Sequence, residues 1–187
     1  MKTAPRTVMI LRHAEKPNET DSRLPPFGVD ENGRAQPDSL IPRGWQRAGA
    51  LAAMFGASNL ASPFVRPTLL FAPAYADGLS HRPGETLTPL ARRLRLQIQK
   101  PVSKGQEAAL VSESLLKGAG QDVLVCWEHH HIPAIVAALA SALGVNTLPS
   151  GGHLWPDADF HSVLVFAGQP DGTYTLTRTS MGLLDGD

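Results

Sequence analysis

The sequence predicts an α/β domain with three layers, in which helices cover both faces of a mainly parallel central sheet. Three observations predict this fold class. Apolar segments of strand length alternate with segments of helical period along most of the 187 residues. The segment 122–127 is apolar almost throughout, which is typical of a strand buried on both faces. The apolar run from Thr7 ends in Arg12 and His13, and polar residues 128–131 follow segment 122–127, as is typical of strands where open parallel sheets bind ligands.

The first half of the chain supplies two strands, a long loop and a helix. Residues 7–12 form the first strand, and residues 18–41 form a loop rich in proline and glycine. A helix is predicted over residues 43–55 because its apolar side chains share one face, and Gly56 is suited to end it. A second strand follows at residues 68–72. Because the long loop directly follows the first strand, we expect it to border a functional site.

The second half continues the alternation and ends in a β-hairpin. A polar loop from residue 75 leads into a helix predicted to begin at Thr86, and Pro133 suits the first turn of a later helix. The terminal hairpin adds an antiparallel edge to the sheet. The predicted elements are, in order, a helix over 86–94, a strand over 96–98, a helix over 106–116, a strand over 122–127, a helix over 132–143 and strands over 160–166 and 174–179.

Length and composition favour one domain over residues 1–187 and exclude several function classes. The chain is long enough for one hydrophobic core, and no linker or second core pattern interrupts it. Lys plus Arg and Asp plus Glu both number 17, so the net charge does not indicate nucleic acid or a membrane surface as a partner. No apolar run approaches the ~20 residues of a membrane span, so we expect a cytoplasmic protein. The single cysteine, Cys126, lies in an apolar run and is interpreted as a small buried hydrophobe.

The end of the first strand carries the clearest chemistry. Arg12 and His13 follow the apolar run directly. A guanidinium is always charged and binds phosphate through paired N–H donors, and a neutral imidazole can attack phosphorus as a nucleophile. The pair therefore indicates phosphoryl transfer through a phosphohistidine, although a polar loop after a core strand would have the same residues.

Two further segments place charged or polar side chains beside a helix N-terminus. Arg82 precedes the helix predicted from Thr86, where free N–H groups and the helix dipole favour an anion. A solvated surface arginine is the alternative interpretation of Arg82. Three consecutive histidines, 129–131, follow the strand 122–127 and precede the next helix. This repeats the arrangement of strand, polar turn and helix seen at the N-terminus.

These motifs together resemble the histidine phosphatase superfamily, also called the phosphoglycerate mutase-like family. The resemblance rests on Arg12-His13, the segment 44–48, Ser80-x-Arg82-Pro83 with Thr86, and the histidines after DVLVCW, in this order over nearly the full length. It implies a phosphoglycerate mutase-like three-layer α/β/α fold.

By the same resemblance, His13 is the phosphate-accepting nucleophile, and Arg12 and Arg82 bind the phosphoryl oxygens. The second histidine of the family is carried over to His129, because the pattern Trp-x-His-x-x-Ile-Pro looks like a variant found in some members. His131 is the alternative, since the more familiar glycine beside that histidine is missing here.

The expected activity is hydrolysis of phosphate monoesters without a metal or other cofactor. His13 attacks phosphorus, and water then attacks the phosphohistidine, while two arginines and a protonated second histidine supply positive charge. Glu15 is the first candidate for the proton donor to the leaving oxygen, and Glu128 and Glu85 are weaker candidates. Alternatively, Glu15 pairs with Lys16 or orients Arg12, Glu85 caps the following helix, and Glu128 is a solvated or ion-paired turn residue.

Other functions remain open at this point. A phosphomutase would retain the phosphoryl group, but a short chain without a large insertion favours hydrolysis. A non-catalytic phosphate-binding or regulatory module would share the same residues. The substrate is either a small-molecule phosphate ester or a phosphoprotein, including phosphohistidine, and the sequence does not indicate an oligomeric state. A metal site is a further alternative, with ligands among His129, His130, His131, His153 and His161.

Overall fold

The structure, a computed structural model, describes residues 4–18, 24–75, 81–147 and 155–187. These residues fold around a six-stranded sheet. Each predicted helix and strand has a counterpart in this structure. The elements are β1 (Thr7–Arg12), α1 (Pro42–Phe55), β2 (Leu69–Phe71), α2 (Arg82–Leu94), β3 (Ile98–Gln99), α3 (Glu107–Leu110), continued by a π-helical turn (Val111–Leu115), β4 (Asp122–Trp127), α4 (Ile132–Leu143), β5 (Ser162–Gly168) and β6 (Tyr174–Ser180).

The sheet is mainly parallel, as the sequence predicts. Its strand order is β3-β2-β4-β1-β5-β6, and the first four strands in this order run parallel to one another. The terminal hairpin is antiparallel, and β5 pairs with β1 as well as with β6. In the register of β1 against β4, Arg12 lies opposite Trp127. The carboxyl ends of these two strands therefore meet at one edge of the sheet.

Two hydrophobic clusters show that helices cover both faces. Alternate residues of β1 point to opposite faces, with Ile10 in the cluster that includes α4 and Met9 in the cluster that includes α1 and α2. All six residues of β4 are buried, as expected for a strand covered on both faces. The structure thus confirms the predicted three-layer α/β/α class.

Helix α2 begins earlier than predicted, at Arg82 instead of Thr86. Pro83 explains the difference, because proline fixes a helical φ and its missing N–H costs nothing in the first turn. Arg82 is consequently the first residue of the helix and does not belong to the preceding loop. Helix α1 ends at Phe55, and Gly56 caps its C-terminus, as the sequence indicates.

Two further observations concern Cys126 and the length and polarity of the helices. Cys126 is fully buried, and burial raises the pKa of its thiol, so it packs as a small apolar side chain. Within the described ranges, no helix has both the length and the apolar character needed to cross a membrane.

Candidate active site

The meeting of β1 and β4 brings the two histidine segments together. The backbone N–H of His13 donates to the carbonyl of Trp127 at 3.0 Å, which extends the strand pairing by one residue. The ring centroids of His13 and His129 consequently lie 6.5 Å apart, with the ring planes at 81°. Residues far apart in sequence thus form one cluster at the ligand-binding edge of the sheet.

His13 is held as a neutral imidazole with one nitrogen fixed. Its Nδ1 lies 2.7 Å from the carbonyl oxygen of Ala14, which can only accept, so Nδ1 carries the proton and Nε2 has the lone pair. The residue is 3% exposed. Burial is the main cause that lowers the pKa of His13 to about 3; the hydrogen bond to Ala14 opposes this, and the charges of Arg12, Arg82 and Lys16 reinforce it. The ring is therefore uncharged and nucleophilic near pH 7.

The backbone after His13 is fixed by both neighbouring helices. The N–H of Ala14 donates to the hydroxyl of Thr86 at 2.9 Å, and that hydroxyl donates to the carbonyl of Arg82 at 2.7 Å. On the other side, α1 approaches so closely that a Cβ on Gly44 would lie 2.5 Å from the carbonyl oxygen of Glu15. Thr86 and Gly44, motif positions with no role predicted from the sequence, thus set the position of the His13 backbone.

Arg12 is a buried cation beside His13. It is 2% exposed, and its guanidinium carbon lies 4.0 Å from the centroid of the Phe160 ring, a cation–π distance. Its Nη1 donates to the backbone carbonyl of Asp157. Phe160 is a site residue that the sequence analysis assigned to a strand. The strand begins only at Ser162, which leaves Phe160 in the loop that covers Arg12.

Arg82 brings a second cation from the N-terminus of α2. Its Nη2 donates to the carbonyl of Pro37 at 3.3 Å, so the long loop borders the site as predicted. Its Nε is buried, and no atom in the described parts of the chain forms a hydrogen bond with it. A buried N–H without a partner costs about 1–3 kcal/mol, which a bound anion would recover. Ser80, from the same motif, lies outside the described residues.

His129 is buried next to these cations and is held by a carboxylate. It is 4% exposed, and its Nε2 lies 2.7 Å from Oδ1 of Asp157. Its Nδ1 is buried and lacks a hydrogen-bond partner among the residues described. Burial and then the charge of Arg12 lower the pKa of His129, while Asp157 opposes the shift. The lowered pKa favours a neutral ring at this position, whereas the sequence analysis expected a protonated one.

Similarity to known proteins is found at the level of the fold. No family model and no curated protein matches the chain. Mycobacterial glucosyl-3-phosphoglycerate phosphatase is similar over 94% of this chain and 97% of its own, with a TM-score of 0.50 and 14% identity. Phosphoglycerate mutase from Bacillus anthracis is similar over 96% of this chain and 95% of its own, with a TM-score of 0.51 and 12% identity. The chain has the phosphoglycerate mutase-like α/β/α fold.

A third solved structure, the putative phosphohistidine phosphatase SixA from Agrobacterium tumefaciens, is similar over 94% of this chain and 98% of its own, with a TM-score of 0.49 and 16% identity. The first two matches, with TM-scores of 0.50 and 0.51, show the fold, and at 14% and 12% identity the activity has to be argued from the side chains. The fold resemblance inferred from the sequence is confirmed.

His131, the alternative second histidine, contacts a residue of α3. Its Nδ1 is 3.1 Å from Oε1 of Glu107, an oxygen that also accepts from the indole of Trp127 at 3.0 Å. Glu107 is buried, so these contacts join the turn after β4 to α3. His131 therefore has a structural environment, and the geometry favours His129.

Of the five histidines considered as metal ligands, the structure groups His129 with His130 and gives His131 and His161 other partners. His131 pairs with Glu107, His161 lies 3.6 Å from Asp159, and His153 falls outside the described residues. One group of possible ligand atoms does lie within 4.8 Å, formed by His129, the exposed His130 and the exposed Asp157. The short contact between His129 and Asp157 is a hydrogen bond, and nothing else at this group indicates an ion.

Glu15, the first candidate for the proton donor, is engaged in a buried ion pair. Both of its carboxylate oxygens accept from Nε of Arg47 at 3.1 Å, and Oε1 also accepts from Nη2 at 2.8 Å. Arg43 approaches the same oxygen at 3.3 Å, and Arg47 also binds Asp187. Both carboxylate oxygens of Glu15 are therefore occupied by the guanidinium of Arg47, which favours a role in tying β1 to α1 over proton donation. The partners observed for this carboxylate are thus Arg47 and Arg43, both of α1.

We expect Glu15→Gln to lower the free energy of unfolding by about 2 kcal/mol, because Arg47 keeps a buried charge with one carboxylate fewer. Activity should fall equally for alkyl phosphates and for p-nitrophenyl phosphate. Urea unfolding and steady-state kinetics measure the two effects. Glu31→Gln is the control, since Glu31 pairs with Arg92 at an exposed site and should change stability by less than about 1 kcal/mol. Normal stability with a selective loss on alkyl phosphates would make Glu15 the proton donor after all.

The weaker carboxyl candidates also have partners. Glu128 accepts from the hydroxyl of Tyr75 at 2.6 Å and pairs with Lys104 at 3.1 Å, the ion-paired alternative stated above. Glu85 accepts from the hydroxyl of Ser39 at 2.6 Å and from the N–H of Leu40 at 2.9 Å. Glu85 therefore ties the long loop to α2 and does not cap its own helix.

Proposed function

We propose that the protein is a phosphatase that hydrolyses phosphate monoesters through a covalent phosphohistidine on His13. The observation that carries the proposal is the state of His13. It is buried, its Nδ1–H is fixed by the carbonyl of Ala14, and its pKa of about 3 leaves the Nε2 lone pair free at neutral pH. A histidine that only filled the core would not need a fixed Nδ1–H tautomer, nor two arginines and a second histidine around it.

The surrounding groups suit a dianionic phosphoryl group. Arg12 and Arg82 supply two permanent charges, and Arg82 Nε and His129 Nδ1 are buried polar atoms without partners in the described residues. A phosphate monoester offers three oxygens to these atoms. A dianion beside His129 also raises the pKa of that ring, since opposite charge favours its protonated form. In the proposed complex, His129 thus donates from Nδ1 to the phosphoryl group while Nε2 stays on Asp157.

The proposed reaction has two displacements. Nε2 of His13 forms a bond to phosphorus, the ester P–O bond breaks, and the leaving alkoxide takes a proton from solvent. Water then attacks phosphorus, the P–N bond breaks, the attacking water gives up a proton to solvent, and inorganic phosphate and neutral His13 remain. The arginines stabilise the charge on the transferring group at both stages, which is the main requirement for this reaction class. No step in this scheme uses a metal.

Trapping the intermediate tests the proposal directly. Protein treated with chelator should hydrolyse p-nitrophenyl phosphate, and an alkaline quench during turnover should capture a phosphoenzyme that acid destroys, as a phosphoramidate requires. Phosphate binding without any phosphoenzyme would favour the non-catalytic module. A phosphoenzyme that passes its phosphoryl group to an added alcohol and resists water would favour the mutase. Activity that depends on an added metal would contradict the proposed chemistry.

A further inference from the structure

A cavity of about 260 Å³ opens beside Arg82. Its walls include Pro17, Phe27, Ala35 and Pro37, and Arg82 is the only charged residue among the described residues that line it. The described lining is therefore mostly apolar, with one cation, Arg82, and two polar amide residues, Asn18 and Gln36. The cavity lies between the segment that follows His13 and the long loop.

Arg82 connects this cavity to the phosphate site. Its charge acts on the ring of His13, and its Nη2 reaches the carbonyl of Pro37 in the cavity wall at 3.3 Å. A phosphoryl group bound between His13 and Arg82 would have this cavity next to it. The ester substituent is the part of a substrate that remains outside the phosphate site, so the cavity is available to it.

The wall is built around an exposed aromatic ring on a closely packed turn. Phe27 and Leu24 are the exposed large hydrophobic residues of the described chain, at 49% and 54% exposure, and only Phe27 lines the cavity. Gly28 packs so tightly that a Cβ there would lie 2.3 Å from the carbonyl oxygen of Gln36. An exposed apolar surface on a fixed wall is typical of a binding site.

We propose that this cavity binds the ester substituent of the substrate and selects apolar alcohols, aliphatic or aromatic. The inference rests on the proposed phosphatase function and specifies its substrate class. A substrate with a second charged group, such as a carboxylate, finds no further charge in the described lining to pair with it. A sugar or glycerol would lose its hydrogen bonds to water against Phe27 and Pro37. An alkyl or aryl group gains from leaving water.

A series of n-alkyl phosphates from methyl to octyl tests the proposal. The acidity of the leaving alcohol is nearly constant along this series, so the chemical step stays the same while apolar length grows. kcat/KM should rise about threefold to fourfold per methylene and then level off when the chain outgrows the cavity. The gain should lie mainly in KM, because the chain is remote from the reacting atoms. Phe27→Ala should flatten the rise, and Leu24→Ala, exposed but outside the cavity, should leave it unchanged.

Binding of n-alkyl phosphonates, measured by calorimetry, separates the two proposals because it needs no turnover. Affinity that rises with chain length while no ester is hydrolysed would support the cavity and contradict the phosphatase. Hydrolysis at the same kcat/KM for every chain length would keep the phosphatase and overturn the apolar site. Equal effects of Phe27→Ala and Leu24→Ala, or a preference for glycerol phosphate or phosphoserine over hexyl phosphate, would also overturn it.

Discussion

Replacing His13 with alanine is expected to reduce the hydrolysis of p-nitrophenyl phosphate by about 10⁴-fold or more, because the nucleophile of the covalent mechanism is lost. Uncatalysed hydrolysis of phosphate monoesters is so slow that enzymes accelerate it by up to about 10²¹-fold. The remaining arginines bind phosphate but cannot accept it covalently. Assays of chelator-treated wild type and variant over about pH 5 to 8 measure the effect. The wild-type ring stays neutral over this range, since burial lowers its pKa to about 3.

His161→Ala is the matched control for this substitution. His161 is a partly exposed histidine that lies 3.6 Å from Asp159, and it has no place in the proposed mechanism. We expect the activity of His161→Ala to stay within about threefold of wild type. His13→Ala should also retain the wild-type far-UV spectrum and cooperative unfolding. A folded His13→Ala protein with activity within about tenfold of wild type would refute both the assignment of His13 as nucleophile and the phosphohistidine intermediate.

The fold was largely predictable because its strands have clear local limits. Strand β4, Asp122–Trp127, matches the prediction at both ends, since glycine residues precede it and a charged turn follows. The pairing of β1 with β4 depends on backbone hydrogen bonds between distant segments, for which neither segment carries a local signal. The sequence analysis accordingly predicted both strands but not their pairing.

The start of β5 shows why a strong local signal can be misleading. Aromatic and β-branched residues favour strands, so the prediction began the strand at Phe160. Asp159 changes this locally, because its Oδ1 accepts from the N–H groups of His161 and Ser162 at 3.1 and 2.9 Å. These bonds turn the chain before it enters the sheet. Phe160 is thereby left beside Arg12 in the site.

The candidate site was predictable where residues follow strand ends and not where they come from loops. His13 and His129 both follow apolar strands, and the sheet register brings them together. Asp157 comes from a segment without periodic pattern, and nothing in its sequence pairs it with His129. Glu15 was considered as an acid because it is near His13 in sequence. Its environment is set instead by Arg47 of α1, a contact that spacing along the chain cannot reveal.

His129→Ala should lose activity and His131→Ala should keep it, so the two variants together test which residue is the second histidine. We expect His129→Ala to lower kcat/KM for p-nitrophenyl phosphate by about 10²- to 10³-fold, the usual cost of removing one donor to a developing charge. p-Nitrophenolate leaves without a proton, so this loss reports stabilisation of the phosphoryl group. His131→Ala should keep activity within about threefold of wild type, because its contact to Glu107 has no place in the proposed mechanism.

For stability we expect the reverse order, with His131→Ala as the more destabilised variant. His131→Ala removes a partner of the buried Glu107 carboxylate, so we expect it to lower the free energy of unfolding by about 1 kcal/mol. His129→Ala removes a ring whose Nδ1 already lacks a hydrogen-bond partner in the described chain, so it loses only the exposed contact to Asp157 and local packing. If His131→Ala is the variant that loses activity, the second histidine is His131, and the turn after β4 must rearrange when phosphate binds.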